Sequence, residues 1–222
     1  MVNIVYPISM EISGPTALWT RPDTGDCPSS YPAPTYSATR GVFESILWGA
    51  AIEIIPKKVE ICAPVQYHSY VTNYGGPLRS GKSIANGNNY QLLATVLIDV
   101  CYKLYADVVP NRERHKLPDD ALRWDAKTTS PGHAHQAIFN RRLKRGQCYS
   151  IPYFGIKEFV ASYFGPLRDT TTVLSSMPDI FIPSMLRMVF GGGYRSPVSF
   201  VYDQNVMIRN GCLDYTRGDA DA

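Results

Sequence analysis

TYSATRGVFESILWG, residues 35–49, follows a proline-rich loop (Pro28, Pro32, Pro34) and reads as the clearest helix in the first half of the chain. Thr35 is a natural N-cap, because its hydroxyl can accept an orphan N–H of the first turn. Ala38, Val42, Ile46 and Gly49 recur at helical spacing and predict one apolar stripe facing a core. Gly49 is the expected C-terminal stop. Arg40 and Glu44 are four residues apart on the other face, where an ion pair adds only about 0.2–0.5 kcal/mol.

The surrounding 222 residues are 45% hydrophobic, enough for a sizeable core. Only 18% are charged, below the usual roughly 25%, and 15 Tyr, 17 Pro and 17 Gly fill the gap. This favours short strands, many turns and a polar aromatic surface. The net charge of +3 permits a nucleic-acid partner without requiring one. Five cysteines (Cys27, Cys62, Cys101, Cys148, Cys212) form no CxxC pair, and MVNIVYPISM has no basic leader pattern. A reduced, cytoplasmic setting is therefore expected. No apolar run reaches the roughly 20 residues of a membrane span, and no membrane partner is expected.

Upstream of the helix, Ile4, Tyr6, Ile8, Met10 and Ile12 alternate, predicting a half-buried strand over 3–13 that Gly14-Pro15 ends. Downstream, 51–55 and 58–62 read as two strands separated by a turn at Pro56. Residues 66–89 are aromatic and glycine-rich and read as an extended hairpin or arm, and 90–109 as a long strand. A second helix is expected over 133–145, with Ala137, Ile138 and Phe139 inward. Its basic end (Arg141, Arg142, Lys144, Arg145) suits a helix C-terminus, and Gly146 stops it. Two strands, 198–202 and 206–215, are expected around a turn at Asp203-Gln204-Asn205, with Asn210-Gly211 a second tight-turn signal. The mixture predicts an α+β fold.

Three constellations bear on chemistry. Gly76-Pro-Leu-Arg-Ser-Gly-Lys-Ser83 matches the phosphate-loop pattern, which needs a buried strand before it and a helix after it. Tyr70 to Tyr74 is polar and aromatic, and Ile84 to Asn89 is a poor helix former, so an NTPase is disfavoured. His133 and His135 lack a nearby cysteine or carboxylate at ligand spacing, so no metal is assigned. The basic helix end, with Arg112, Arg114, Lys116 and the aromatic arm, fits either a phosphate-tracking surface with stacking platforms or a solvated face.

Gly14-x-x-Ala17-Leu18-Trp19-Thr20, Pro34-Thr35-Tyr36-x-Ala38 and Gly41-x-x-Glu44-Ser45-Ile46-x-Trp48 together resemble the CRISPR-associated protein 5 family, type I-C (Dvulg) subtype. Weaker matches follow in order: Pro64-x-Gln66, Leu97-x-Asp99-Val100-x-Tyr102, the His135, Arg141, Leu143-Lys144 and Gly146 segment, and Val206-Met207 through Leu213-Asp214. The resemblance implies a ferredoxin-like (RRM-related) RNA-binding region over 1–148, a projecting hairpin thumb at about 66–89 and a β-rich part over 149–222. It implies a cytoplasmic Cascade subunit that caps the 5′ handle of a CRISPR RNA, packs on the backbone and large subunits and meets target DNA only through the complex. It implies no cofactor. With charge and position, it makes Arg21, Arg40, Tyr74, Arg79, Lys82, Arg141, Arg142, Lys144 and Arg145 the RNA-binding candidates.

The resemblance also implies precursor-RNA cleavage by a Tyr, a Lys and a His. The Tyr position is Leu47 here and the Lys position is Ala134, so only His135 remains. Neither Leu nor Ala carries a proton to give or take. The expectation is an RNA-holding subunit without processing activity. The alternatives are a metal-independent endoribonuclease centred on His135, with His133 as a substitute, and a free-standing RRM-like RNA-binding module.

Overall fold

The computed structural model describes residues 5–74, 81–87, 90–111, 116–120, 130–189 and 198–216. Its frame is an antiparallel sheet with strands β1 (Tyr6–Ala17), β2 (Ile52–Ile61), β3 (Gln66–Tyr74), β4 (Tyr90–Pro110), β5 (Tyr163–Gly165), β6 (Ile180–Met188), β7 (Val201–Arg209) and β8 (Cys212–Asp214). The helices are α1 (Tyr36–Ile46), a single turn α2 (Gly81–Ala85) and α3 (Pro131–Lys144). The strand order is β5-β1-β4-β2-β8-β7-β6, and β3 pairs with β4. β1 and β2 therefore flank β4, and the chain crosses between them through α1.

β4 is the spine. Residues 97–108 pair with β1 and 102–110 with β2, and 90–98 pair with β3. Ile98 pairs with both Thr16 and Gln66, so β3 lies on the β2 side of the spine. The long strand expected over 90–109 is present. The arm expected over 66–89 is, in its described part, the β3–β4 ribbon with α2 near its far end. The root of the ribbon is held along its β4 edge: Thr95 donates its N–H to Pro28 O at 2.8 Å and accepts from Ser30 N–H at 3.0 Å.

Prolines explain where the sequence reading of strands went astray. β1 does not stop at Gly14-Pro15 but runs on to Ala17. Pro15 lies between the paired residues Gly14 and Thr16, and Asp99 between their partners Val100 and Ile98. Asp99 takes a positive φ of 52° there. Pro183 likewise lies between Ile182 and Ser184, opposite Asn205 at φ 53°. Proline has no N–H for the ladder, and Asp and Asn are among the side chains that tolerate the left-handed region. The strand thus passes the proline instead of breaking. For the same reason 201–209 is one strand through Asp203-Gln204-Asn205, not two with a turn. Pro56 marks a register shift inside a single β2, where a turn between two strands was expected. Asn210-Gly211 does turn the chain, both residues at positive φ (50° and 72°), and joins β7 to β8.

α1 and α3 cover one face of the sheet. Thr35 caps α1 by accepting from Ala38 N–H at 3.2 Å. Val42, Phe43 and Ile46 of α1 and Phe139 and Leu143 of α3 join Ile8, Met10 and Ile12 of β1, Ile54 and Val59 of β2 and Leu104 and Val108 of β4 in one core. Each such side chain contributes roughly 1.5–3 kcal/mol when fully buried. Phe43 and Phe139 meet at 5.7 Å between ring centroids and seat the helices on each other. The inward side of α3 is His135, Phe139 and Leu143; Ala137 is exposed and Ile138 half-buried, contrary to the run of three expected. α3 begins at Pro131, two residues earlier than expected, with Ser130 accepting from His133 N–H. Gly146 at φ 64° ends it as expected.

Candidate nucleic-acid interface

α1 stops at Ile46, three residues before Gly49, because tertiary donors take its last carbonyls. Arg142 Nη1 donates to Ile46 O at 3.0 Å. The N–H groups of Tyr149 and Ser150 both donate to Ser45 O, at 2.8 and 3.0 Å. His135 Nε2 lies 3.0 Å from Leu47 O. Leu47 turns extended (φ −154°, ψ 113°), and Trp48 is left 63% exposed. The C-terminal end of α1 is thus tied to α3 and to the segment that follows it.

A carbonyl only accepts, so the His135 bond to Leu47 requires the proton on Nε2. His135 is buried, with 2% of its surface exposed. Its Nδ1 is buried without a hydrogen-bond partner among the described residues. Burial holds the imidazole below its ordinary pKa; the Leu47 carbonyl opposes that shift and the nearby Arg142 reinforces it. The neutral, Nε2-protonated ring is the resting form. Leu47, Trp48, Gly49, Ala51, Ile138 and Arg142 join His135 around a cleft of about 340 Å³. The structure therefore brings Leu47 and His135 into contact, with Ala134 next to His135 on α3. His133 is exposed and sits edge-on to Tyr6 at 5.9 Å, away from that contact. Among the described residues no three His, Cys, Asp or Glu side chains are grouped to hold a metal.

The basic candidates do not converge on one patch. Arg141, Lys144 and Arg145 are exposed together at the end of α3. Arg142 caps α1 from inside the same turn. Arg40 lies between Glu44 (2.8 Å) and Glu53 (3.7 Å). Arg21 makes a two-pronged bond to Asp23 and stands 5.7 Å over the Tyr31 ring. Lys82 is exposed on α2. α2 itself corrects the expectation that no helix follows Lys82, but it is a single turn. Tyr74 pairs with Tyr90 at the far end of the ribbon. Arg79, Arg112, Arg114 and residues 76–80 of the phosphate-loop lookalike lie outside the described residues.

Two features escaped the sequence reading. One is an open groove of about 480 Å³ over the outer face of α1, walled by the aromatic rings of Trp48, Tyr149 and Tyr153. The other is Glu11. It is fully buried in β1 and accepts from the Arg168 N–H (2.8 Å), Arg168 Nε (2.7 Å) and Thr171 Oγ1 (2.8 Å). Burial alone would raise its carboxyl, but these donors and the Arg168 charge outweigh burial and hold it below the ordinary range. Glu11 thereby pins the 168–171 segment to the sheet, from a partner 157 residues away.

A helix-covered antiparallel sheet with a basic helix end beside a histidine cleft defines an α+β protein of a recognisable type. The sequence pattern of the CRISPR-associated Cas5 proteins, Cas5d type, matches residues 8–181, and the chain belongs to that family. It is 30% identical over 171 residues to the CRISPR pre-crRNA endoribonuclease Cas5d of Mannheimia succiniciproducens, a match covering 70% of this chain and 71% of the relative. It is 31% identical over 160 residues to the protein of the same name from Thermus thermophilus, covering 72% of this chain and 63% of the relative. The fold is shared with a crystal structure of a CRISPR-associated protein (TM-score 0.72, 18% identity, 100% of this chain and 98% of that one). It is shared too with a functionally uncharacterized Streptococcus mutans protein (TM-score 0.69, 17% identity, 98% and 96%). Among the described residues no helix is long and apolar enough to cross a membrane.

Proposed function

We propose that this chain is a cytoplasmic CRISPR RNA-binding subunit of a type I-C-like Cascade. It holds the 5′ repeat-derived handle, packs against the backbone and large subunits, meets target DNA only through the complex, and does not cut precursor RNA. Family membership supports the RNA and the complex. The order β5-β1-β4-β2, with α1 and α3 as its two crossovers, supports a ferredoxin-like reading of the first part of the chain, and this unit takes in β5 (Tyr163–Gly165), beyond the boundary at 148 that the resemblance implies. The β3–β4 ribbon is the natural candidate for the thumb, and β6, β7 and β8 form the β-rich remainder.

One observation carries the non-cutting reading: His135 Nε2–H is committed to the Leu47 carbonyl, between two positions (Leu47 and Ala134) with no ionisable side chain. Metal-free cleavage needs a base for the 2′-hydroxyl and an acid for the leaving 5′-oxygen. Among the described residues, the Nδ1 lone pair of His135 is the sole titratable atom left at this contact. It is buried, and protonating it beside Arg142 is disfavoured. The second reading, a metal-independent endoribonuclease using His135, is favoured by the names of the two relatives.

The handle reading is tested by photo-crosslinking. The chain is assembled with the other subunits of its complex on a CRISPR RNA carrying 4-thiouridine in the 5′ handle. Crosslinks from the handle to this chain are expected; crosslinks to other subunits alone would overturn the assignment.

A further inference from the structure

The groove over α1 is unlike the His135 cleft. It is open, and its walls are exposed aromatic rings: Trp48 (63% exposed), Tyr149 (84%) and Tyr153 (39%). Large aromatics left this bare lose the burial that normally holds them, and three around one groove mark a surface with a partner. Ser37, Ser45 and Glu44 add polar groups. Its volume of about 480 Å³ falls in the roughly 300–1,000 Å³ range of ligand-binding clefts and leaves room for a nucleobase. Part of the floor is Gly41, where an added Cβ would meet nothing within 4 Å.

Its surroundings identify the occupant. The Tyr149 and Ser150 N–H groups bond Ser45 O, and Arg142 bonds Ile46 O, so the turn after α3 is fastened to the end of α1 beside the groove. That places the exposed cations Arg141, Lys144 and Arg145 on the segment leading into the aromatic wall. Trp48 stands between this groove and the His135 cleft and lines both. Cations that track a backbone next to aromatic faces are the arrangement that binds single-stranded nucleic acid, with bases stacked on the rings.

We infer that the α1 groove receives one unpaired nucleobase of the bound RNA, stacked on Trp48 and Tyr149, while the flanking phosphates lie on the Arg141–Arg145 turn. This deepens the RNA-holding reading and rests on it. Stacking carries no net charge, whereas the turn acts through counterion release, so the two parts have different salt signatures.

The probe is the single-stranded CRISPR repeat RNA of this chain's own locus, fluorescein-labelled, titrated with the full chain over a range of salt concentrations. Trp48→Ala and Tyr149→Ala are each expected to weaken binding about ten-fold with the salt slope unchanged, and Trp48→Phe to retain most of the affinity. Gly41→Leu, which fills the floor and leaves every aromatic in place, is expected to weaken binding similarly. Lys144→Ala with Arg145→Ala is expected to flatten the salt slope. A 2-aminopurine scan through the repeat should find one quenched position, relieved in Trp48→Ala. If the parent binds RNA and the aromatic and Gly41 variants bind equally well, the groove assignment is overturned and RNA holding stands. If those variants bind RNA normally but fail to assemble with the other subunits, a protein occupies the groove and the inference is equally overturned. If the parent does not bind the repeat at all, the RNA-holding reading fails, and the groove proposal with it.

Discussion

Replacing His135 with Ala separates a structural role from a catalytic one. The change removes the Nε2–H bond to Leu47 O, which links α3 to the end of α1. A net hydrogen bond of this kind is worth about 1 kcal/mol. It also empties the space of an imidazole that lies 6.4 Å from the Phe139 ring and is 2% exposed. Truncations of buried rings cost about 3–5 kcal/mol. The loop residues Leu47 to Ala51 that line the cleft beside His135 can relax into part of that space, which brings the combined cost down to about 2–4 kcal/mol. For a chain of this size each kcal/mol lowers Tm by about 2–4 °C, so a fall of about 4–16 °C is expected by thermal unfolding at neutral pH. The pH dependence fixes the sign. The folded-state pKa of His135 is lowered, so the unfolded chain binds the proton more readily. Stability is full above about pH 6.5 and declines as pH falls from there toward the lowered folded value. The Ala variant should lose that part of the acid limb. A variant with parental Tm and an unchanged pH profile would refute the structural role and return His135 to the list of groups free for chemistry.

Glu11→Gln should destabilise by about 2–3 kcal/mol, because an amide replaces a buried carboxylate that accepts from the Arg168 N–H, the Arg168 guanidinium and the Thr171 hydroxyl; urea unfolding measures it. Glu11 is held below its ordinary pKa, so its contribution is present above about pH 4.3 and is lost as pH falls through the depressed value; the Gln variant should lack that step. Asp99→Val should cost about 1–2 kcal/mol, the penalty for a side chain in the left-handed region, while Asp99→Gly should stay near the parent; equal denaturation midpoints for the two variants would show that the bulge is not backbone-determined. Leu47→Tyr combined with Ala134→Lys should give cutting of repeat RNA where the parent gives none, followed on a denaturing gel, if those two positions alone account for the missing chemistry.

Local patterns were legible where the physics is local. The Thr35 cap, the Val42 and Ile46 stripe, the Gly146 stop and the Asn210-Gly211 turn each depend on neighbours within a few residues, and all were readable in advance. The end of α1 was not, since Arg142, Tyr149 and His135 decide it from about 90 residues or more away. Prolines misled the strand boundaries at Pro15 and Pro56, because a partner strand can adapt to a missing N–H in ways one strand's sequence does not display. β6 was missed: it is an edge strand with exposed and buried positions poorly alternated. For the candidate site, the Leu47–His135 pairing came from family resemblance, and the structure adds that the two are in contact. The aromatic groove was illegible for another reason. Tyr149 and Tyr153 look like ordinary loop residues until the bonds to Ser45 carry them to Trp48.

Holding RNA and cutting RNA separate in a single experiment. The most direct measurement is incubation of the pure protein with its own repeat RNA in EDTA, read on a sequencing gel and by band shift in parallel. For an RNA-holding subunit that does not cut, a shifted band that yields intact RNA on denaturation is expected. Cleavage at one defined site, abolished by His135→Ala in a variant shown to remain folded, would contradict it.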